Sequence, residues 1–130
     1  MATVTARLDD WLRDAIVEFW QEHDTGPSTA LRRVAEEWWA MEAFPRIRFR
    51  SGVSGRRAVV RGGPDVWEVV MVARAYGDDR AGFHEHFSPF VEPEALDQAL
   101  AYAERFPDEI ESQLASNERL EQRLRRRESA

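Results

Sequence analysis

The sequence has no cysteine and no lysine, and all 18 of its basic residues are arginines. Without cysteine, neither disulfide bonds nor a metal site with thiolate ligands can hold the fold together. Without lysine, the chain has no P-loop, because that motif uses a lysine to bind the terminal phosphates of a nucleotide. No apolar run approaches the roughly 18 residues of a membrane span, and the opening MATVTARLDD lacks the apolar core of a signal peptide. We therefore expect a cytoplasmic protein without membrane contact.

Residue patterns typical of a catalytic or cofactor site are also scarce. The glycines of the segment 51–63 do not follow the G-x-G-x-x-G spacing of a dinucleotide-binding loop, and they suit a turn and a bend into a helix. His84 and His86 are two residues apart, with no evident third metal ligand. No serine lies in the sequence context of an activated nucleophile. We expect no enzyme activity, no metal, no cofactor and no small-molecule substrate.

Charge is unevenly distributed along the chain, whose net charge is −6. Residues 1–44 carry 4 arginines against 9 acids, residues 45–77 carry 7 against 2, and residues 78–108 carry 2 against 8. The final 22 residues, 109–130, are balanced. The acidic total argues against a general nucleic-acid binder. The basic segment either holds phosphates or pairs with its acidic neighbours, and composition favours internal pairing.

The first 44 residues predict one strand and two helices. Thr3–Leu8 alternates apolar and polar residues, which is typical of a strand with one buried side. Asp9 can cap the next helix, whose apolar residues recur at steps of three and four as far as His23. The segment DTGPS ends that helix. Ser28 can cap a second helix, which ends before Pro45.

The segment 45–61 predicts a β-hairpin. In RIRFR, arginines that point outward alternate with Ile47 and Phe49, which point inward. RAVVR (Arg57–Arg61) can pair with this strand across a turn that contains Gly52 and Gly55.

Three helices are predicted after the hairpin, at about 65–76, 80–87 and 93–106. Pro64 suits the first position of a helix, and Gly77 suits the position just after its end. The first helix is apolar almost all round, which indicates either full burial or an interface. Pro107 then precedes a charged helix with a narrow apolar stripe, which has too little apolar surface for a core element.

The first 40 residues resemble the ribbon-helix-helix DNA-binding fold, with a single strand, a helix, a glycine-containing turn and a second helix that opens with Ser28, Leu31 and Arg32. In that fold, two chains pair their strands, and the ribbon enters the major groove. The resemblance implies a homodimer that reads base edges with the strand and binds a phosphate at the second helix. The alternative is a dimerisation module that does not bind DNA. The DNA-binding residues implied are Thr3, Thr5, Arg7, Ser28 and Thr29.

The stretch PRIRFRSGVSGRRAVVRGGPDVWEVV, continued by YAERFPDEIE, resembles the bacterial domain of unknown function numbered four-three-three. The signature residues are Gly55, Arg56, Val60, Arg61 and Gly62. The resemblance implies a hairpin followed by a homeodomain-like three-helix unit. It also implies the role of a VapB-like antitoxin of a type II toxin–antitoxin pair, whose partner is a small PIN-like ribonuclease. Members often continue into a charged helix after a proline, an acidic residue, a glutamate and an isoleucine, and Pro107–Ile110 matches this motif.

A homeodomain-like unit suggests that its third helix reads DNA, but the residues of that helix argue otherwise. It holds Glu94, Asp97 and Glu104 against Arg105, and carboxylates repel phosphates. We expect this unit to serve packing or dimerisation, also through the 66–72 helix, with its acidic helix near the arginine-rich hairpin. The candidates for flanking phosphate contacts are Arg46, Arg48, Arg50 and Arg57.

We therefore expect a mostly α chain with small β elements: a ribbon-helix-helix-like unit (1–44), a hairpin with three helices (45–107) and a toxin-binding C-terminal helix (108–130). The predicted function is an antitoxin that neutralises a PIN-like ribonuclease and represses its own operon by binding operator DNA. The alternatives are a stand-alone dimeric transcriptional regulator and an interaction module that does not bind DNA. The predicted toxin-binding residues are Ile110, Leu114, Leu120, Leu124, Arg123 and Arg126.

Overall fold

The structure, a computed structural model, describes residues 1–52 and 55–129. The described part is mostly helical with one small antiparallel sheet, which confirms the prediction of a mostly α chain with small β elements. The chain divides into two compact units, Met1–Trp39 and the remainder from Ala40 onward. The elements are α1 (Asp10–Glu22), α2 (Pro27–Ala43), β1 (Ile47–Gly52), β2 (Gly55–Val60), α3 (Val66–Tyr76), α4 (Arg80–His86), α5 (Pro93–Arg105) and α6 (Pro107–Ser129).

The N-terminal unit corrects two predictions about its local structure. Thr3–Leu8 is not a strand in the single chain, where every residue before α1 is exposed and no neighbouring strand is available to it. α2 begins at Pro27, so Ser28 lies inside its first turn and does not cap it. Proline fits this first position because its fixed φ is already helical and its missing N–H has no partner to lose there. Asp9 does stand at the N-cap of α1, but its side chain makes no capping hydrogen bond.

Few residues are buried in the N-terminal unit. Within Met1–Trp39, all of which is described, the buried side chains are Ile16, Ala30 and Glu37. Glu37 is compensated by an ion pair with Arg33, whose Nε lies 3.3 Å from a Glu37 carboxylate oxygen. Several large apolar side chains of this unit, among them Trp11 and Trp38, are exposed.

The predicted hairpin is confirmed. β1 and β2 pair antiparallel, with Ile47 opposite Val60 and Phe49 opposite Ala58. Ile47, Ala58 and Val60 are buried and Phe49 is half-buried, as expected for the inward face of the hairpin. Gly55 has a φ of +98°, a conformation that a side chain would strain. The middle of the predicted turn, 53–54, lies outside the described residues.

The three predicted helices of the second unit are also confirmed, with one change at the start of α3. Asp65 is the N-cap residue, and Pro64 precedes it instead of opening the helix. The Asp65 carboxylate accepts a hydrogen bond of 3.0 Å from the Trp67 indole. Gly77 ends α3 with a φ of +58°, as its predicted position requires. α3 is not buried all round, because Met71 is exposed.

The core of the second unit lies between the hairpin, α3, α5 and the start of α6. Its fully buried side chains include Ile47 from β1, Val66 and Val69 from α3, Leu96 from α5, and Ile110 from α6. The start of α6 therefore packs with the hairpin and helices that precede it. In the described part of the chain, no helix is long and apolar enough to cross a membrane.

Candidate functional site

The residues predicted to contact DNA lie in the N-terminal unit and are all exposed. Thr3, Thr5 and Arg7 belong to the irregular segment that precedes α1. Ser28 and Thr29 lie in the first turn of α2, where backbone N–H groups have no partner within the helix.

Two of the four candidate phosphate-binding arginines are occupied by carboxylates of their own unit. An Nη of Arg46 lies 2.9 Å from Glu92 and 3.3 Å from Glu94. The Arg57 Nε lies 2.6 Å from Asp65, as an ion pair without hydrogen-bond geometry. These contacts confirm that the basic segment pairs internally and that the acidic helix α5 lies near the hairpin. A phosphate would have to displace a carboxylate at either arginine.

The other two candidate arginines differ from each other. Arg48 donates hydrogen bonds of 2.9 Å and 2.7 Å to the backbone carbonyls of Pro45 and Ile47. Arg50 is exposed and makes no ion pair with any residue of 1–52 or 55–129. The hairpin therefore does not present four free guanidinium groups on one surface.

The histidines of α4 bind neighbouring side chains and do not converge on a metal site. The His84 imidazole lies 3.1 Å from the Asp97 carboxylate, which also receives Arg80 at 2.8 Å. The His86 ring lies 3.2 Å from the Tyr76 hydroxyl. Across 1–52 and 55–129, no group of three histidine, aspartate or glutamate side chains is arranged to hold a metal ion.

The first two turns of α6 are anchored to the second unit. Ile110 is 1% exposed in the core, and Leu114 is half-buried against it. The buried Tyr102 hydroxyl donates a 2.7 Å hydrogen bond to Glu109. Arg74 of α3 forms an ion pair with Glu111, and this hydrogen bond holds the pKa of the Glu111 carboxyl below its ordinary value. Ile110 and Leu114, predicted to bind a toxin, therefore contact their own chain.

The remainder of α6 leaves the core. Residues 118–129, which we call the α6 arm, are all exposed. Leu120 is 50% exposed and Leu124 is 49% exposed, so the two leucines keep about half of their surface in water. Arg123 and Arg126 are exposed beside them. Four of the six predicted toxin-binding residues are therefore accessible, and all four lie on this arm.

A groove of about 450 Å³ lies where the α6 arm meets α3. Met71 and Leu114 supply its apolar side chains, and Glu118, Glu121 and Arg125 supply charged ones. Sequence analysis assigned no separate role to Met71, although the apolar circumference of α3 indicated burial or an interface. Met71, 41% exposed, places an apolar side chain at the base of the arm.

Comparison with protein-family models, with curated proteins and with solved structures gives no match to this chain. The two resemblances that the sequence suggests therefore remain predictions.

Proposed function

We propose that the chain is an antitoxin-type binding protein whose α6 arm docks in a groove of a PIN-like ribonuclease and blocks it. The observation that carries this proposal is the division of α6 into an anchored start and an exposed arm. Ile110 fixes the start of the helix in the core, whereas Leu120 and Leu124 face solvent. A helix held at one end and apolar along one exposed stripe is suited to lie in the groove of a partner.

The spacing of the arm residues gives it two adjacent faces. Leu120 and Leu124 are four residues apart and lie on one side of the helix. Arg119, Arg123 and Arg126 follow each other at steps of four and three and share a second face, and Arg123, three residues after Leu120, borders the leucines. Docking of the leucines in an apolar groove would bring the Arg123 guanidinium to the edge of that groove.

Arginines beside an apolar stripe suit a partner with clustered carboxylates. Guanidinium groups bind carboxylates with two parallel hydrogen bonds, and they remain charged at any physiological pH. A nuclease that binds metal ions through acidic side chains offers such a cluster. Arg123, the nearer of the two predicted arginines to the leucines, would occupy these carboxylates in place of the metal ions and thereby inhibit cleavage.

Growth rescue tests the toxin part of the proposal. The reading frame next to this gene is expressed alone, with the full chain, and with the chain truncated after Arg119. We expect growth arrest by the neighbour alone, rescue by the full chain and no rescue by the truncated chain. A truncated chain that still rescues would overturn the role of the arm.

We propose that the chain also represses its own operon, through the exposed residues that precede α1. Support comes from the alternation of the exposed Val4 and Leu8 with Thr3, Thr5 and Arg7, because these apolar side chains need a second strand to cover them. Binding to the upstream DNA should weaken steeply with salt. Arg7→Ala should reduce sequence preference more than Arg48→Ala does, since Arg48 already bonds to backbone carbonyls. Equal effects of the two variants would contradict this assignment.

A further inference from the structure

A groove of about 570 Å³ lies where α3 and α5 end and α6 begins, and we call it the α3–α5 groove. Each of the three helices lines it with residues three or four positions apart, so one face of each helix turns toward it. Val70 and Ile110, which are buried, and Leu100, which is half-buried, form its base. The base of the groove is therefore apolar.

The α3–α5 groove stays open because the residues at its sides are small. Ala73 of α3 and Ala103 of α5 line it and are half-buried, and Gly77 lies at the end of α3. A Cβ added at Gly77 would meet no atom of the described residues within 4 Å. The space above the apolar base is thus available to a side chain of another molecule.

The charges around the groove are unbalanced. The carboxylates of Asp78, Glu104 and Glu111 line it, together with the guanidinium group of Arg74. Arg74 forms an ion pair with Glu111, which leaves the other two carboxylates. Asp78 and Glu104 are exposed and make no ion pair with any residue of 1–52 or 55–129. Three carboxylates against one guanidinium group give the edge of the groove an excess of two negative charges.

The arginines nearest to these two carboxylates in sequence are held by other groups. Arg80 lies 2.8 Å from the Asp97 carboxylate. Arg105 lies over the Phe106 ring, with its guanidinium carbon 5.0 Å from the ring centroid. Neither Asp97 nor Phe106 lines the groove. The negative charge at its edge therefore favours a cation from outside the chain.

We propose that the α3–α5 groove binds a basic segment of a partner polypeptide. The segment inserts an aliphatic side chain against Val70 and Leu100 and places an arginine or lysine beside Asp78 and Glu104. Amphipathic segments present apolar and charged side chains next to each other in this way. Exposed residues from all three helices line the groove, so it is open to solvent. An open groove suits a polypeptide, whereas sites for small molecules bury most of the ligand.

The site is separate from the α6 arm, because no residue of 118–129 lines the α3–α5 groove. It requires neither a toxin nor operator DNA. A chain that binds a basic peptide here but fails to rescue growth would support this site and contradict the antitoxin function. The opposite pair of results would support the antitoxin function and contradict this site.

Titration of the full-length chain with a synthetic peptide tests the proposal by calorimetry. The probe is a short alanine-based helical peptide in which leucine–arginine pairs recur every fourth residue, so that the arginines border a face of leucines. One control peptide has glutamate in place of each arginine, and a second has alanine in place of each leucine. Each control lacks one of the two contacts and should bind about tenfold or more weakly than the probe. n-Hexylguanidinium, a small cation with an apolar chain, should also bind more weakly.

Removal of the two carboxylates locates the site. Asp78→Asn/Glu104→Gln should weaken binding of the probe about tenfold or more, because the arginine of the peptide loses its partners. Glu18→Gln/Glu22→Gln removes the same charge from exposed positions of α1 and should leave the dissociation constant unchanged. Circular dichroism checks that each variant keeps its helices.

Filling the groove provides a second test. Ala103→Leu places a larger side chain in the groove and should weaken binding of the probe, whereas Ala101→Leu, at an exposed position of the same helix, should not. No binding of the probe, equal binding of the control peptides, or wild-type affinity in the carboxylate variant or in Ala103→Leu would each overturn the proposal. n-Hexylguanidinium that binds as tightly as the probe would overturn the assignment to a polypeptide. If Ala103→Leu loses its helices, the carboxylate variant decides.

Discussion

The part of the chain from Ala40 onward closes around a core, whereas Met1–Trp39 leaves most of its large apolar side chains in solvent. In the larger unit, Ile47, Leu96 and Ile110 come from three different elements and are almost fully buried. In the smaller unit, Trp11 is 70% exposed and Trp38 is 61% exposed. The two helices of the smaller unit bury few side chains and do not enclose a core, because a core forms only where layers of secondary structure pack closely against each other. The second unit is thus closed by its own chain, whereas the first leaves apolar surface open.

Leucine-to-alanine variants in the two units should sharpen this comparison most strongly. Leu96→Ala should lower the unfolding free energy by about 2–5 kcal/mol, because Leu96 is fully buried and its truncation leaves a cavity in the core. Leu31→Ala should lower the unfolding free energy by about 1 kcal/mol or less, because Leu31 is 44% exposed. Denaturant unfolding at low protein concentration measures both values. Equal losses at the two positions would contradict the contrast between the units.

The ion pair of Arg57 and Asp65 should have the next largest effect. Asp65 is buried, accepts a hydrogen bond from Trp67 and lies 2.6 Å from Arg57. Asp65→Ala removes the hydrogen-bond acceptor of the Trp67 indole and the opposite charge beside Arg57, and we expect a loss of about 1–3 kcal/mol in unfolding free energy. Asp10→Ala is the control, since Asp10 is exposed at the start of α1 and its contact with Arg13 is 3.7 Å long. A loss for Asp65→Ala no larger than that of the control would show that the contact contributes little.

Glycine substitutions should show a smaller difference between the units. Gly77 has a φ of +58°, and Gly77→Ala should cost about 1 kcal/mol through backbone strain, since an added Cβ meets no atom within 4 Å. Gly26 has equally open space and no positive φ. Gly26→Ala should therefore be neutral or stabilising by less than about 1 kcal/mol. Thermal unfolding of both variants checks this order, and the reverse order would contradict the backbone description.

The ion pair of Arg74 with Glu111 should have the smallest effect, and that effect should depend on pH. The hydrogen bond from Arg74 lowers the pKa of Glu111 in the folded chain, so the pair stabilises the fold while Glu111 is ionised. Glu111→Gln should lower the melting temperature slightly near neutral pH, because both groups are exposed. The difference from wild type should disappear as the pH falls through the folded pKa of Glu111. A difference that grows on acidification would contradict this sign.

The sequence predicted the helices and the hairpin well because local signals determine them. The alternation of Ile47 and Phe49 and the glycine at position 77 act through neighbouring residues, and both predictions are confirmed. The predicted first residues of α2 and α3 were less accurate, because in each case a proline and a residue able to cap the helix lie next to each other. Pro27 opened α2 in place of Ser28, and Asp65 rather than Pro64 preceded α3.

The candidate site was only partly predictable from sequence. The periodicity of α6 identified its four apolar residues as one stripe, but it could not show that Ile110 enters the core while Leu120 remains exposed. That division depends on where α3 and α5 end, which is a property of the tertiary packing. Composition likewise left open whether the basic segment binds phosphates or pairs internally. The contacts of Arg46 with Glu92 and Glu94 depend on the tertiary fold and show internal pairing.

Binding of the neighbouring gene's product to the α6 arm is the most direct measurement of the proposed function. Titration calorimetry compares the wild type with Leu120→Asp/Leu124→Asp and with Ser112→Asp/Ser116→Asp, which adds the same charge to exposed positions of the same helix. We predict tight binding by the wild type and the serine variant, and a loss of about a hundredfold or more in affinity for the leucine variant. Undiminished binding by the leucine variant, or no binding by the wild type, would contradict the proposal that the arm is the inhibitory element.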